Sequence, residues 1–149
     1  PVGFCRDWVT EVVDGTYPNV SIELRSERCN HCDNSPCVRC CPTGASHIED
    51  GGIVLVEHNK CIGCGACIQA CPYDARYSHP EGYVDKCTFC IHRVREGKDP
   101  ACVSVCPTSC MYFGDLDDPN SKIVNVLKNR KFKSLAPEAG TKPQIFYLV

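Results

Sequence analysis

Long hydrophobic runs are missing from this chain, and so is any strong excess of one charge. No apolar stretch is long enough to span a bilayer, which excludes a transmembrane role for these residues themselves. Lysine and arginine total 16 against 18 aspartate and glutamate, a net charge of −2 over 149 residues. Bulk electrostatics therefore point neither to nucleic acid nor to an anionic membrane surface. An initiator methionine is lacking too, because the chain opens on Pro1. Its start is read as a processing or fragment boundary, so the lack of a signal peptide says nothing about compartment. The length allows one small domain or two very small ones. Eleven glycines and eleven prolines imply long loops that bury too little apolar surface to offset backbone entropy. Something besides a hydrophobic core has to hold such a chain together.

What the chain has instead is cysteine, fifteen in all. Twelve fall into three groups: Cys29, Cys32, Cys37 and Cys41; Cys61, Cys64, Cys67 and Cys71; Cys87, Cys90, Cys102 and Cys106. Each group ends on a cysteine followed by proline, namely Pro42, Pro72 and Pro107. The odd total and the x3-C-P ending have no disulfide rationale. The second group is a C-x2-C-x2-C-x3-C-P run, the spacing of a bacterial-type iron–sulfur site whose fourth cysteine serves a neighbouring cluster. A 4Fe–4S cube needs four thiolates, and a short loop reaches three iron corners. Crossing the fourth ligand predicts one cluster on Cys29, Cys32, Cys37 and Cys71, and a second on Cys61, Cys64, Cys67 and Cys41. Gly63 and Gly65 allow backbone conformations that turn N–H groups toward sulfur. Cys87, Cys90 and Cys102 are loop ligands of a further cluster, and Cys106 is the donor to yet another. No partner group for them remains in the sequence.

The alternatives are weaker. Paired C-x2-C knuckles can hold structural zinc, but zinc needs neither the third cysteine two residues on nor the x3-C-P ending. An enzyme with an open iron corner finds no support, since the first two groups each offer a full complement. Cys5, Cys40 and Cys110 are read as bystander thiols that pack as small hydrophobes. His31 and His92 adjoin ligand cysteines and are candidates for hydrogen bonding to a cluster rather than for ligation. The basic run Lys128 to Lys133 is a solvated face or a protein-docking patch.

Along the chain, Val9, Val12 and Val13 and then Val20, Ile22 and Leu24 predict two strands around Gly15-Thr16-Tyr17-Pro18. Hairpins are expected at Asp50-Gly51-Gly52 and at His79-Pro80-Glu81-Gly82. The x3 spacings from Cys37 to Cys41 and Cys67 to Cys71 suit one helical turn, with proline closing it. The first two groups form an internal repeat, offset by 30 residues at their last two cysteines (67 − 37, 71 − 41) and by 32 at their first two (61 − 29, 64 − 32). Ser121 is placed to cap a helix through about Arg130 that buries Ile123, Val126 and Leu127. The run from Ser134 to Val149 reads as an extended tail that needs a surface, on this chain or on a partner. The fold class is α+β: ferredoxin-like 4Fe–4S repeats with short helices and β-hairpins, plus a C-terminal helix and tail.

These residues also resemble a family. Cys29-Asn30-His31-Cys32-Asp33-Asn34-Ser35-Pro36-Cys37, Cys41-Pro42-Thr43-Gly44-Ala45, Asn59-Lys60-Cys61-Ile62-Gly63-Cys64 and Ala70-Cys71-Pro72-Tyr73-Asp74-Ala75-Arg76 carry the likeness. So do Asp85-Lys86-Cys87-Thr88-Phe89-Cys90-Ile91-His92-Arg93, the stretch Phe113 to Pro119, and Gly140-Thr141-Lys142-Pro143. The chain resembles the iron–sulfur subunits of molybdopterin oxidoreductases, of the polysulfide, thiosulfate and tetrathionate reductase type and the formate-dependent nitrite reduction type. The resemblance implies four cysteine groups and four clusters, of which this chain holds the second to fourth groups. The first group is expected before Pro1, sharing two clusters with the Cys87–Cys106 group. Two clusters are then complete within the chain. The implied segments are 1–28, the remainder of a first module; 29–84, a two-cluster module; 85–114, the further cysteine group; and 115–149, a helix and partner-docking tail. The implied role is non-catalytic: an electron wire between a quinol-interacting membrane subunit and a molybdopterin catalytic subunit, membrane-associated through its partners. A free-standing polyferredoxin is the alternative.

Overall fold

The computed structural model describes residues 3–149. Strands β1 (Asp7–Thr16) and β2 (Asn19–Arg28) form the longest hairpin, in the register Asp7 to Arg28 through Thr16 to Asn19. This fits the valine-rich segments either side of the Gly15–Pro18 turn. One face of the hairpin carries Val9, Val13, Val20, Ile22 and Leu24, all exposed. Trp8, on the other face, packs on the core. The segment ahead of β1 is tied in by Arg6, whose guanidinium grips Asp85 at 2.8 Å.

After this hairpin the chain repeats one short pattern. Helix α1 (Pro36–Arg39) leads through Cys41 to strands β3 (Ser46–Ile48) and β4 (Val54–Val56). Helix α2 (Ala66–Gln69) leads through Cys71 to β5 (Tyr77–Ser78) and β6 (Val84–Asp85). The two tight hairpins close alike. Glu49 N–H donates to Ile53 O at 2.8 Å, and His79 N–H donates to Tyr83 O at 2.7 Å. Each helix is a single turn, as the x3 spacing predicts, and ends two residues ahead of the fourth cysteine of its group. Helices α3 (Ile91–Val94) and α4 (Ala101–Ser104) follow; the first sits inside the long Cys90–Cys102 gap, where no helix is expected from sequence.

Helix α5 (Lys122–Asn129) half-buries Ile123, Val126 and Leu127. Ser121 stands at its N-cap, but its hydroxyl makes no capping bond. That oxygen lies against Gly114 instead, so close that a Cβ there would overlap it. The tail finds its surface on this chain. Strand β7 (Phe132–Lys133) pairs with β8 (Tyr147–Leu148), and Phe132 meets Phe146 edge-on at 5.1 Å. Between them, Asn34 N–H donates to Thr141 O and Asp33 N–H to Lys142 O, both at 3.0 Å, while Gln144 N–H donates to Asn30 O at 2.8 Å.

The buried core is small and largely sulfur. One cluster joins Cys29 and Cys32 to Tyr73 and Ala75. The other joins Cys37 and Cys67 to Val54 and Val84. Beside four cysteines, the buried hydrophobic side chains among the described residues are Ala45, Ile53, Val54, Tyr73, Ala75 and Val84, too few to stabilise 149 residues by apolar burial alone.

Candidate metal centres

Cys41, Cys61, Cys64 and Cys67 line one small, largely apolar concavity, shared with Pro42 and Val56. The loop that carries three of them needs glycine twice. Gly63 and Gly65 take φ of +67° and +73°, and a Cβ on Gly63 would overlap the carbonyl oxygen of Gly82. Cys67 lies in α2, and Cys41 arrives from the first repeat just past α1. Two hairpin residues supply N–H donors to sulfur that sequence reasoning did not single out. Ser46 N–H points at Cys41 Sγ and Val84 N–H at Cys61 Sγ, each at 3.4 Å. Burial works against ionisation of Cys41, yet the bonds from Ser46 N–H and Thr43 outweigh it and hold the thiol below its ordinary value.

Cys29, Cys32 and Cys37 are buried, and Cys71, half-buried, packs on the Cys29–Cys32 core. Burial pushes the Cys32 thiol up, and the neighbouring charges of Cys29 and Cys71 add to the effect. Burial pushes Cys37 up to about 11, with Cys29 and Cys71 again adding and Arg76 opposing. Residues of the first and second groups are thus interleaved: Cys41 lines the concavity of Cys61, Cys64 and Cys67, Cys71 packs beside Cys29 and Cys32, and Cys37 shares a core with Cys67.

Around the Cys29 set lies an unusual concentration of buried polar side chains. Arg76 is 4% exposed; its Nη2 donates to Cys37 Sγ at 3.0 Å and Ser46 Oγ at 2.8 Å. Its Nε and Nη1 are buried without a partner. Lys86 is 1% exposed and donates from Nζ to the carbonyls of Val54 and, at 2.7 Å, Cys87. His31 is fully buried, stacked 3.8 Å from Phe89, and its Nδ1 accepts from Val54 N–H. Burial keeps this imidazole neutral, reinforced by Lys86 and Arg76, and leaves Nε2 unpartnered. Such a nest of donors and cations fits an anionic, sulfur-rich group held by thiolates. A single ion fits less well: among the described residues no three His, Cys, Asp or Glu side chains converge as one ion requires.

The third group is gathered less tightly. Cys87 lies against the Cys29–Cys32 core, and burial pushes it up to about 11. Cys90 starts α3, and Cys102, in α4, accepts from Arg28 Nη1 at 3.1 Å. Cys106 stands 3.5 Å from Cys110 and is brought down to about 6, chiefly by the Thr108 hydroxyl and the Cys110 N–H. Cys5 and Cys40 are exposed, as is His92.

Residues 20–116 match the 4Fe-4S dicluster domain model, a stretch that takes in all twelve grouped cysteines. The protein belongs to this family. It is 49% identical over 123 residues to a tetrathionate reductase subunit of Salmonella typhimurium, covering 80% of this chain and 49% of that protein. It is 46% identical over 135 residues to a polysulfide reductase chain of Wolinella succinogenes, covering 89% of this chain and 69% of the relative. With the arsenate respiratory reductase iron-sulfur subunit ArrB of a Shewanella species it shares 35% identity over 184 residues, 91% of this chain and 79% of that one. The chain therefore spans about half the length of the first of these dicluster relatives. The expected resemblance to reductase iron–sulfur subunits holds, and so does a small α+β fold of short helices and hairpins. No helix of the described residues is long and apolar enough to cross a membrane.

Proposed function

We propose that this dicluster protein is a non-catalytic electron-transfer subunit. It serves between a quinol-linked membrane subunit and a molybdopterin catalytic subunit of a respiratory oxidoreductase, and is membrane-associated through those partners. The observation that carries the reading is the crossed gathering of cysteines: Cys41 beside Cys61, Cys64 and Cys67, and Cys71 beside Cys29 and Cys32. A bound 4Fe–4S cluster supplies one-electron redox chemistry at a potential tuned by hydrogen bonds, charge and burial. The residues supply the rest. Four thiolates grip each of two clusters complete within the chain, in ferredoxin-like repeats spanning 29–84. Ser46 and Val84 N–H groups donate to ligand sulfur and fix its orientation. Val54 and Val84 keep water from the region between the two sets. Cys87, Cys90, Cys102 and Cys106, within 85–114, belong to further clusters.

A subunit role is supported by the names of the relatives and by the bare apolar face of the β1–β2 hairpin. Val9, Val13, Ile22 and Leu24 expose more than half their surface there, which a partner would cover. Anaerobic purification tests the reading. The chain should carry about eight iron and eight acid-labile sulfide in its two complete sites, and give paramagnetic signals on reduction. Zinc without sulfide would overturn it. Co-purification with a large molybdenum protein supports the subunit role; a monomer that accepts electrons from several unrelated donors would favour a free polyferredoxin.

A further inference from the structure

Buried cations in proteins are paired, because stripping water from a charge costs several kcal/mol. Arg76 and Lys86 are among the most buried side chains of this molecule, and among the described residues neither meets a carboxylate. The neighbouring carboxylate, Asp85, is already committed to Arg6 and Tyr77. What surrounds the two cations is sulfur. Arg76 donates from Nη2 to Cys37 Sγ at 3.0 Å, and Cys37 shares a core with Cys67, so the guanidinium stands between the two cysteine sets. Lys86 donates from Nζ to the carbonyl of Cys87, whose side chain packs against Cys29 and Cys32, so it stands between the Cys29 set and the third group.

We propose that Arg76 and Lys86 are fixed positive charges that tune electron affinity. They raise the reduction potential of the centre on Cys29, Cys32, Cys37 and Cys71 above that of the centre on Cys41, Cys61, Cys64 and Cys67. The proposal rests on the 4Fe–4S reading above. A fixed cation favours whichever redox state carries the extra electron, and the effect is large where water is excluded. The Cys29 set faces both cations, whereas the other set faces Arg76 alone. Their positions are not dictated by the fold. The 30-residue offset places Ser46 opposite Arg76 and Val56 opposite Lys86, and the first repeat builds the same turn and hairpin with those neutral residues. The unpartnered Nε and Nη1 of Arg76 add the hydrogen-bond capacity that an anionic sulfide-rich group would take up.

The test is a redox titration, followed by paramagnetic resonance, of the anaerobically purified chain, a Cys29→Ser marker and four variants of the two cations. The signal lost in Cys29→Ser marks the first centre. Lys86→Gln should lower the reduced-to-oxidised ratio of that signal at least tenfold at fixed poise, about 59 mV for one electron, and leave the other signal in place. Arg76→Gln should lower both. The charge-keeping Arg76→Lys and Lys86→Arg should stay within about threefold of the parent. Full iron and sulfide content with unmoved potentials in both glutamine variants overturns the proposal. If the glutamine variants fail to load iron while the charge-keeping variants load fully, the need for charge is supported. Loss of iron from all four variants overturns the proposal in favour of a packing role. A parent chain without iron and sulfide instead sinks the cluster reading itself.

Discussion

The two halves of the cysteine module differ in charge far more than in shape. Over the ten residues from Cys41 to Asp50 and the ten from Cys71 to Pro80, burial matches position by position except at one, where exposed Thr43 faces buried Tyr73. Ala45 and Ala75 are both buried, and Val54 and Val84 meet in one core. Yet the first half reads Ser46, Leu55 and Val56 where the second reads Arg76, Asp85 and Lys86. One scaffold has thus been kept twice while its interior electrostatics diverged. The shape of each half serves to hold sulfur in place; the charge distinguishes one site from the other.

The strongest way to break the comparison is to cut the crossed ligands. Cys71→Ser with Cys29→Ser should cost about four iron, no more than either alone, because both serve one cluster. Cys71→Ser with Cys61→Ser should cost about eight. Ligand sets that are not crossed would reverse the two outcomes, and iron and sulfide analysis reads them directly. Next, Val56→Lys would carry the second half's cation into the first. Val56 lines the Cys41–Cys67 concavity, so the potential of that centre should rise and the gap between signals narrow. A half-buried lysine there should cost about 1–3 kcal/mol in denaturant melts.

The cysteine groups, the x3 turns and both tight hairpins were legible because each is written locally, in spacing or in a glycine-rich turn. The crossing of Cys41 and Cys71 is an expectation from chemistry alone, from the number of corners a short loop can reach. The buried cations were not. In a linear reading Arg76 and Lys86 are ordinary surface residues, and nothing local tells that sulfur will surround them. The resting place of the tail was equally hidden, since Thr141 and Gln144 have no periodic relation to Asn34 and Asn30. Helix α3 was missed because it is one turn inside an eleven-residue gap.

Packing effects come next in size. Val54→Ala and Val84→Ala should each cost about 2 kcal/mol, by transfer and cavity terms together. The double variant should depart from additivity, because the two side chains share one core. Smaller is Tyr73→Phe, which removes the hydrogen bond to Thr141 that the first half, with Thr43, does not make. About 1 kcal/mol of stability should go, and proteolysis near residues 134–149 should quicken.

The smallest effect is electrostatic and acid-dependent. Burial opposes ionisation of Asp85, but the bonds from Arg6, the Lys86 N–H and Tyr77 outweigh it and hold the carboxyl below its ordinary value of 3.8. Its contribution is therefore complete above that value and is lost as pH falls through the lower folded one. Arg6 is half exposed, so the effect is about 1 kcal/mol or less. Asp85→Asn should flatten that acid limb of the stability curve, while a change at Leu55, its counterpart, should leave the limb unaltered.

The strap formed by residues 140–144 has a consequence for manufacture. Asn30, Asp33 and Asn34, which frame Cys32, find main-chain partners at Gly140, Thr141, Lys142 and Gln144. During translation the Cys29 and Cys32 thiols therefore wait, unlatched, until more than a hundred further residues have been made. Assembly of the proposed clusters would have that interval in which to work before residues 140–144 close over Cys32.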